Sequence, residues 1–101
     1  RTTDSSWRFT KMTAESETIA EEERLLKEIV TRLVDRPAEV HIESMVSARS
    51  VVFDIFVAEG DVGMVLGRRG VYADSLRIIF SALYGKLGKK VHLQVIGPRR
   101  S

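Results

Sequence analysis

The chain has 101 residues, 44% of them hydrophobic, enough for one domain around one modest core. It contains no cysteine, which excludes disulfides, cysteine zinc sites and thiol nucleophiles and suits a reducing compartment. The net charge of +2 conceals a split: residues 1–61 carry 8 Lys and Arg against 13 Asp and Glu, whereas residues 62–101 carry 8 against a single Asp. A basic half of this kind is an electrostatic footprint for a polyanion.

Residues 1–14 show no sustained period and read as a flexible arm, with Met12 a candidate start and residues 1–11 an addition before it. Within this arm Trp7, Arg8, Phe9 and Lys11 interleave aromatic and basic side chains, a pattern suited to stacking on bases. A first helix is expected over residues 15–35, because Leu26, Ile29, Val30, Leu33 and Val34 recur on one face. Acids crowd its start, where the helix dipole favours them. Asp35-Arg36-Pro37 stops it, since the residue before proline avoids helical geometry.

Two strands follow, over residues 39–45 and 51–58. Val51, Phe53, Ile55 and Val57 alternate with Val52, Asp54 and Phe56, and the short polar gap predicts an antiparallel hairpin. Asp61 is placed to cap a short helix over residues 62–67. A third helix is expected over residues 71–86, its buried stripe made of Ala73, Leu76, Phe80, Leu83, Tyr84 and Leu87, with Ile79 beside it. The last strand covers residues 90–96, Gly97-Pro98 stops it, and residues 98–101 form a basic tail. The domain therefore spans residues 15–97 in the order α-β-β-α-α-β, an α+β architecture with helices on one sheet face.

Three stretches match G-x-x-G: Gly60-Asp61-Val62-Gly63, Gly67-Arg68-Arg69-Gly70 and Gly85-Lys86-Leu87-Gly88. The first encloses an aspartate, which repels phosphate. The third closes a helical pattern and reads as a C-terminal cap. Only the middle one puts two cations into a turn between helices. There glycine admits a close backbone approach and arginine matches phosphate geometry.

These stretches resemble the type II KH domain, the bacterial form of an RNA-binding fold, and within it the small stand-alone KH proteins of the KhpA type. The resemblance is carried by Arg32-Leu33-Val34-Asp35-Arg36-Pro37-Ala38-Glu39-Val40, by residues 57–70 ending in Gly67-Arg68-Arg69-Gly70, and by Gly88-Lys89-Lys90-Val91. It implies a groove for single-stranded RNA. One wall is the short helix, the turn and the start of the third helix; the other is the strand at 90–96 and the loop before it. On that reading Gly67 and Gly70 admit the sugar-phosphate backbone, and Arg68 and Arg69 pair with phosphates. Val65 and Leu66 form part of the groove floor and of the core together. Arg77, Lys89 and Lys90 add charge, and His92 and Gln94 offer hydrogen bonds to base edges. The chain departs from the family pattern at Met64 and at Val71-Tyr72, where polar or basic residues are common.

The resemblance further implies a role as an RNA chaperone, and self-association or pairing with a second KH-containing protein. A protein-interaction module with little RNA binding is the alternative. An enzyme is not expected: the sequence lacks a phosphate loop, a dinucleotide fingerprint and H-E-x-x-H. His41 and His92 sit on different strands without a ligand at short spacing, so neither a metal nor a cofactor is expected. No apolar run approaches the about 20 residues of a membrane span, and the polar start carries no leader pattern, so the expected location is the cytoplasm.

Overall fold

A computed structural model describes the backbone of residues 4–99 and the side chains from residue 19 to residue 99. The elements are α1 (Asp4–Leu33), β1 (His41–Val46), β2 (Ser50–Phe56), α2 (Val62–Leu66), α3 (Val71–Gly85) and β3 (Lys90–Ile96). Single 3-10 turns at Pro37–Glu39, Glu59–Asp61 and Arg68–Gly70 join them.

The three strands form one sheet in the order β1-β2-β3. β1 and β2 are an antiparallel hairpin, with Ser44 opposite Phe53. β3 lies parallel to β2, with Phe53 opposite Leu93. A parallel neighbour requires a crossover. The chain supplies it with α2, the Gly-Arg-Arg-Gly turn and α3, so the basic turn sits within the connection that closes the fold.

The alternation in β2 decides what the sheet buries. Val51, Phe53 and Ile55 are fully buried, while Val52, Asp54 and Phe56 are partly exposed on the other face. Leu26 and Val30 from α1, Val65 from α2, and Leu76, Phe80 and Tyr84 from α3 pack onto the buried face. Phe53 is the hub. Its ring meets Phe80 edge-on at 6.0 Å and Tyr84 at 6.0 Å, distances typical of favourable aromatic pairs. The Tyr84 hydroxyl is buried among them without a hydrogen-bond partner from the described residues. Burial first, and then Glu22 and Glu23, push its phenol up to about 12.

Several expectations need correction. α1 begins at Asp4 and not at residue 15, so residues 4–14 belong to the helix. That stretch contains neither proline nor glycine, and extending an existing helix is far easier than nucleating one. The expected stacking of Trp7, Arg8, Phe9 and Lys11 lies outside the described side chains, and Arg100 and Ser101 of the basic tail lie outside the described residues.

Asp61 does not cap α2 through its side chain. It is only 3% exposed, and its carboxylate accepts the Arg36 N–H at 3.0 Å. That bond ties the Arg-Pro corner after α1 to the segment leading into α2. Ile79 is 54% exposed and Ile78 62%, so Ile79 lies beside the buried stripe of α3 and not in it. Among the described residues, no helix is long and apolar enough to cross a membrane.

Candidate nucleic-acid interface

The basic turn is built by its glycines. Gly67 has φ 77° and ψ 175°, a region essentially reserved for glycine. A Cβ there would lie 2.5 Å from Tyr72 Cγ and 2.9 Å from the Tyr72 backbone nitrogen. The Tyr72 ring thus rests directly on Gly67, and no side chain fits between them. Gly70 is left-handed at φ 76° and ψ 16°, but the space around it is open. Arg69 between them is also left-handed, at φ 59°, the only non-glycine with positive φ among the described residues. A left-handed arginine is a local cost that the surrounding turn must hold in place.

Three backbone bonds do so. Gly67 N–H reaches Gly63 O at 2.9 Å, Gly70 N–H reaches Gly67 O at 3.0 Å, and Val71 N–H reaches Arg68 O. None of them uses the N–H of Arg68 or Arg69. Both arginine side chains are exposed, and neither forms an ion pair with a described residue. The turn therefore presents two guanidinium groups and two backbone donors at the start of α3, where the helix dipole is positive.

The remaining expected residues divide. Val65 is fully buried and belongs to the core; Leu66, next to it, is partly exposed at the turn. Arg77 is half-exposed on α3, with Asp74 at 3.8 Å. It lies about 9 Å along the helix from the turn, given a rise of about 1.5 Å per residue. A cleft of about 520 Å³ runs between α3 and β3, lined by Arg77, Ser81, Lys89, Lys90, Val91 and His92. Lys90, His92 and Gln94 are exposed along β3, with the buried Val91 between the first two. The structure thus brings Arg77, Lys89 and Lys90 to one cleft.

Lys89 lines the same cleft. It is 9% exposed, and its ammonium donates to Ser47 O at 2.7 Å and Ala48 O at 3.1 Å. Those bonds tie the residue to the β1–β2 turn. One residue beside this junction went unread in the sequence: Arg49, exposed in the β1–β2 turn, whose carbonyl accepts the Lys90 N–H at 2.8 Å. No local pattern flags it, because the contact is set by the parallel pairing of β2 and β3. Among the described residues, no group of His, Asp or Glu side chains is arranged to hold a metal ion.

The α-β-β-α-α-β order, the mixed three-stranded sheet and the glycine-bracketed turn between two helices define a type II KH domain. Sequence comparison assigns it further: the chain belongs to the KhpA/KhpB KH-domain family, whose sequence profile matches residues 23–95. It is similar to "RNA-binding protein KhpA" of Chlamydia muridarum, 31% identical over 70% of this chain and 91% of that protein. It is also similar to "RNA-binding protein KhpA" of Listeria monocytogenes, 34% identical over 73% of this chain and 97% of that protein. A third relative of the same name, from Clostridium acetobutylicum, is 33% identical over 72% of this chain and 97% of that protein. No solved structure gives a significant match.

Proposed function

We propose that this chain binds single-stranded RNA and grips its backbone with Gly67-Arg68-Arg69-Gly70, as a binding module without catalytic chemistry. The observation that carries the reading is the turn itself. Its backbone geometry requires glycine at position 67, and its two arginines are exposed without an ion-pair partner among the described residues. The relatives named for RNA binding support it. Domains of this fold hold about four nucleotides and clamp their backbone with such a turn. Arg77 and Lys90 extend the charged path along the cleft, and Leu66 lines its edge. Contacts of this kind position a strand and carry little sequence information. That suits an RNA chaperone acting in the cytoplasm on many transcripts.

The test is filter binding of a short single-stranded RNA at two salt concentrations. Arg68→Met with Arg69→Met should flatten the salt slope by about 1.4 and weaken binding about 25-fold at 0.1 M salt, from about 0.7 per phosphate contact. Arg68→Asp with Arg69→Asp, which keeps both glycines, should abolish retention. Unchanged affinity in the reversed-charge variant would remove the turn from the binding site.

A second reading has its own support. Val71, Ile78 and Ile79 leave an apolar stripe exposed on the outer side of α3, continued by Tyr72. At spacings of seven and eight residues these side chains share one helix face. That face suits a second copy of the chain or another KH-containing protein. Ile78→Glu with Ile79→Glu should then convert a dimer to a monomer in sedimentation; a wild-type chain that sediments as a monomer at high concentration excludes self-association.

A further inference from the structure

The aromatic side chains of the domain do not share one environment. Phe53, Phe80 and Tyr84 are fully buried in the core, and Phe56 is partly buried on the outer face of the sheet. Tyr72 is 51% exposed, the only exposed aromatic among the described residues. Its ring pairs with no other aromatic, and its hydroxyl makes no hydrogen bond with a described residue. A large apolar ring with a polar tip, left in water at the surface, is available to a ligand.

The turn fixes where that ring sits. A Cβ on Gly67 would lie 2.5 Å from Tyr72 Cγ and 2.6 Å from Cδ2, so the ring fills the side of Gly67 from which a side chain would project. A strand that approaches Gly67 from that side meets the ring, not the glycine backbone. Arg68 and Arg69 stand on the same turn, exposed and without an ion-pair partner among the described residues. Tyr72 does not line the cleft between α3 and β3. At about 100° per residue it lies about 140° round α3 from Arg77, which does. The cleft and the ring thus occupy different flanks of α3, and the basic turn at the helix start joins them.

We propose that Tyr72 is a stacking platform for a base just outside the cleft, next to the phosphates that Arg68 and Arg69 hold. The proposal rests on the RNA-binding reading above. Cations that track a backbone, beside an aromatic face that takes a base, are the combination that binds single strands with little regard to sequence. This contact differs in kind from those of the arginines. It depends on a base and not on a phosphate, so it releases no counterions and does not fade with salt as they do. It lengthens the footprint of the domain beyond the nucleotides in the cleft.

The experiment is fluorescence anisotropy of a labelled single-stranded tetra-adenylate, a length matched to the groove. The strand is extended, at the end opposite the label, by a few adenosines or by the same number of abasic residues, which add the same phosphates. Both directions of extension are made. In one direction the adenosine extension should bind the wild-type chain about tenfold more tightly than the abasic one, the order of a single base–aromatic stack. Tyr72→Phe should keep that ratio, and Tyr72→Leu should bring it close to one. The salt slope of Tyr72→Leu should equal that of the wild type, because no phosphate contact is removed; a variant that had merely loosened the turn would flatten it. A wild-type chain that binds adenosine and abasic extensions equally in both directions overturns the platform, and that result needs no variant to fold. A ratio that persists in Tyr72→Leu overturns it too. So does a Tyr72→Leu variant that alters only the sedimentation of the chain, which assigns the ring to a protein contact. A wild-type chain that binds none of these strands defeats the RNA-binding reading itself, a result distinct from binding without the ratio.

Discussion

The sharpest stability contrast in the molecule lies between the two glycines of the basic turn. Gly67→Ala forces a side chain into a backbone region reserved for glycine, at about 1–3 kcal/mol. The new Cβ would also meet Tyr72 Cγ at 2.5 Å, Cδ2 at 2.6 Å and the backbone nitrogen at 2.9 Å. The half-exposed ring can swing outward; the nitrogen cannot move without shifting the first turn of α3. Overpacking of that kind adds about 1–3 kcal/mol, so the variant should lose about 2–6 kcal/mol. Gly70→Ala meets nothing within 4 Å and suffers only the left-handed penalty, about 1–2 kcal/mol. Urea unfolding followed by far-UV circular dichroism measures both through the midpoint at constant slope. In a domain of this size each kcal/mol lowers Tm by about 4–8 °C, so the two variants should separate clearly in thermal melts. Adding Tyr72→Ala to Gly67→Ala should recover the part of the loss due to the ring and leave the backbone part. Equal destabilisation by Gly67→Ala and Gly70→Ala, or no rescue by Tyr72→Ala, would refute the assignment of Gly67 as the sterically locked position.

Other consequences follow from single contacts. Asp61→Ala leaves the Arg36 N–H without its acceptor and should cost about 1–3 kcal/mol in urea unfolding, whereas Asp61→Asn, which keeps an acceptor, should cost less. Tyr84 is native as the neutral phenol, and its pKa is raised from 10.0 to about 12. A raised pKa means that its contribution is intact below the unfolded value and is lost as pH climbs through the folded one. Stability should therefore fall between pH 10 and pH 12, and Tyr84→Phe should remove that part of the fall. Because the hydroxyl has no described partner, Tyr84→Phe should change stability at neutral pH by no more than about 1 kcal/mol. Asp74 is the only acid in residues 62–101 and pairs with Arg77 at 3.8 Å on the surface. Asp74→Asn should tighten RNA binding at low salt by a few-fold, with the gain fading as salt screens it.

How much of this was legible in the sequence depends on how far each residue's partner lies along the chain. The alternation of Val51, Phe53 and Ile55 names its own buried face, because the period of a strand is local. The Gly-Arg-Arg-Gly turn was legible for the same reason: its chemistry is contained in four consecutive residues and their helical flanks. The misreadings fall where a local rule met a distant partner. Asp61 has the right identity for a cap, yet its carboxylate is claimed by the amide of Arg36. The start of α1 was misplaced because apolar periodicity reports burial, whereas a helix needs only the absence of a breaker to continue. Lys89 is the most instructive case. A lysine in a Gly-Lys-Lys loop reads as surface charge, and Lys90 behaves so. Its neighbour is turned inward because the parallel pairing of β2 and β3 brings the carbonyls of Ser47 and Ala48 within reach.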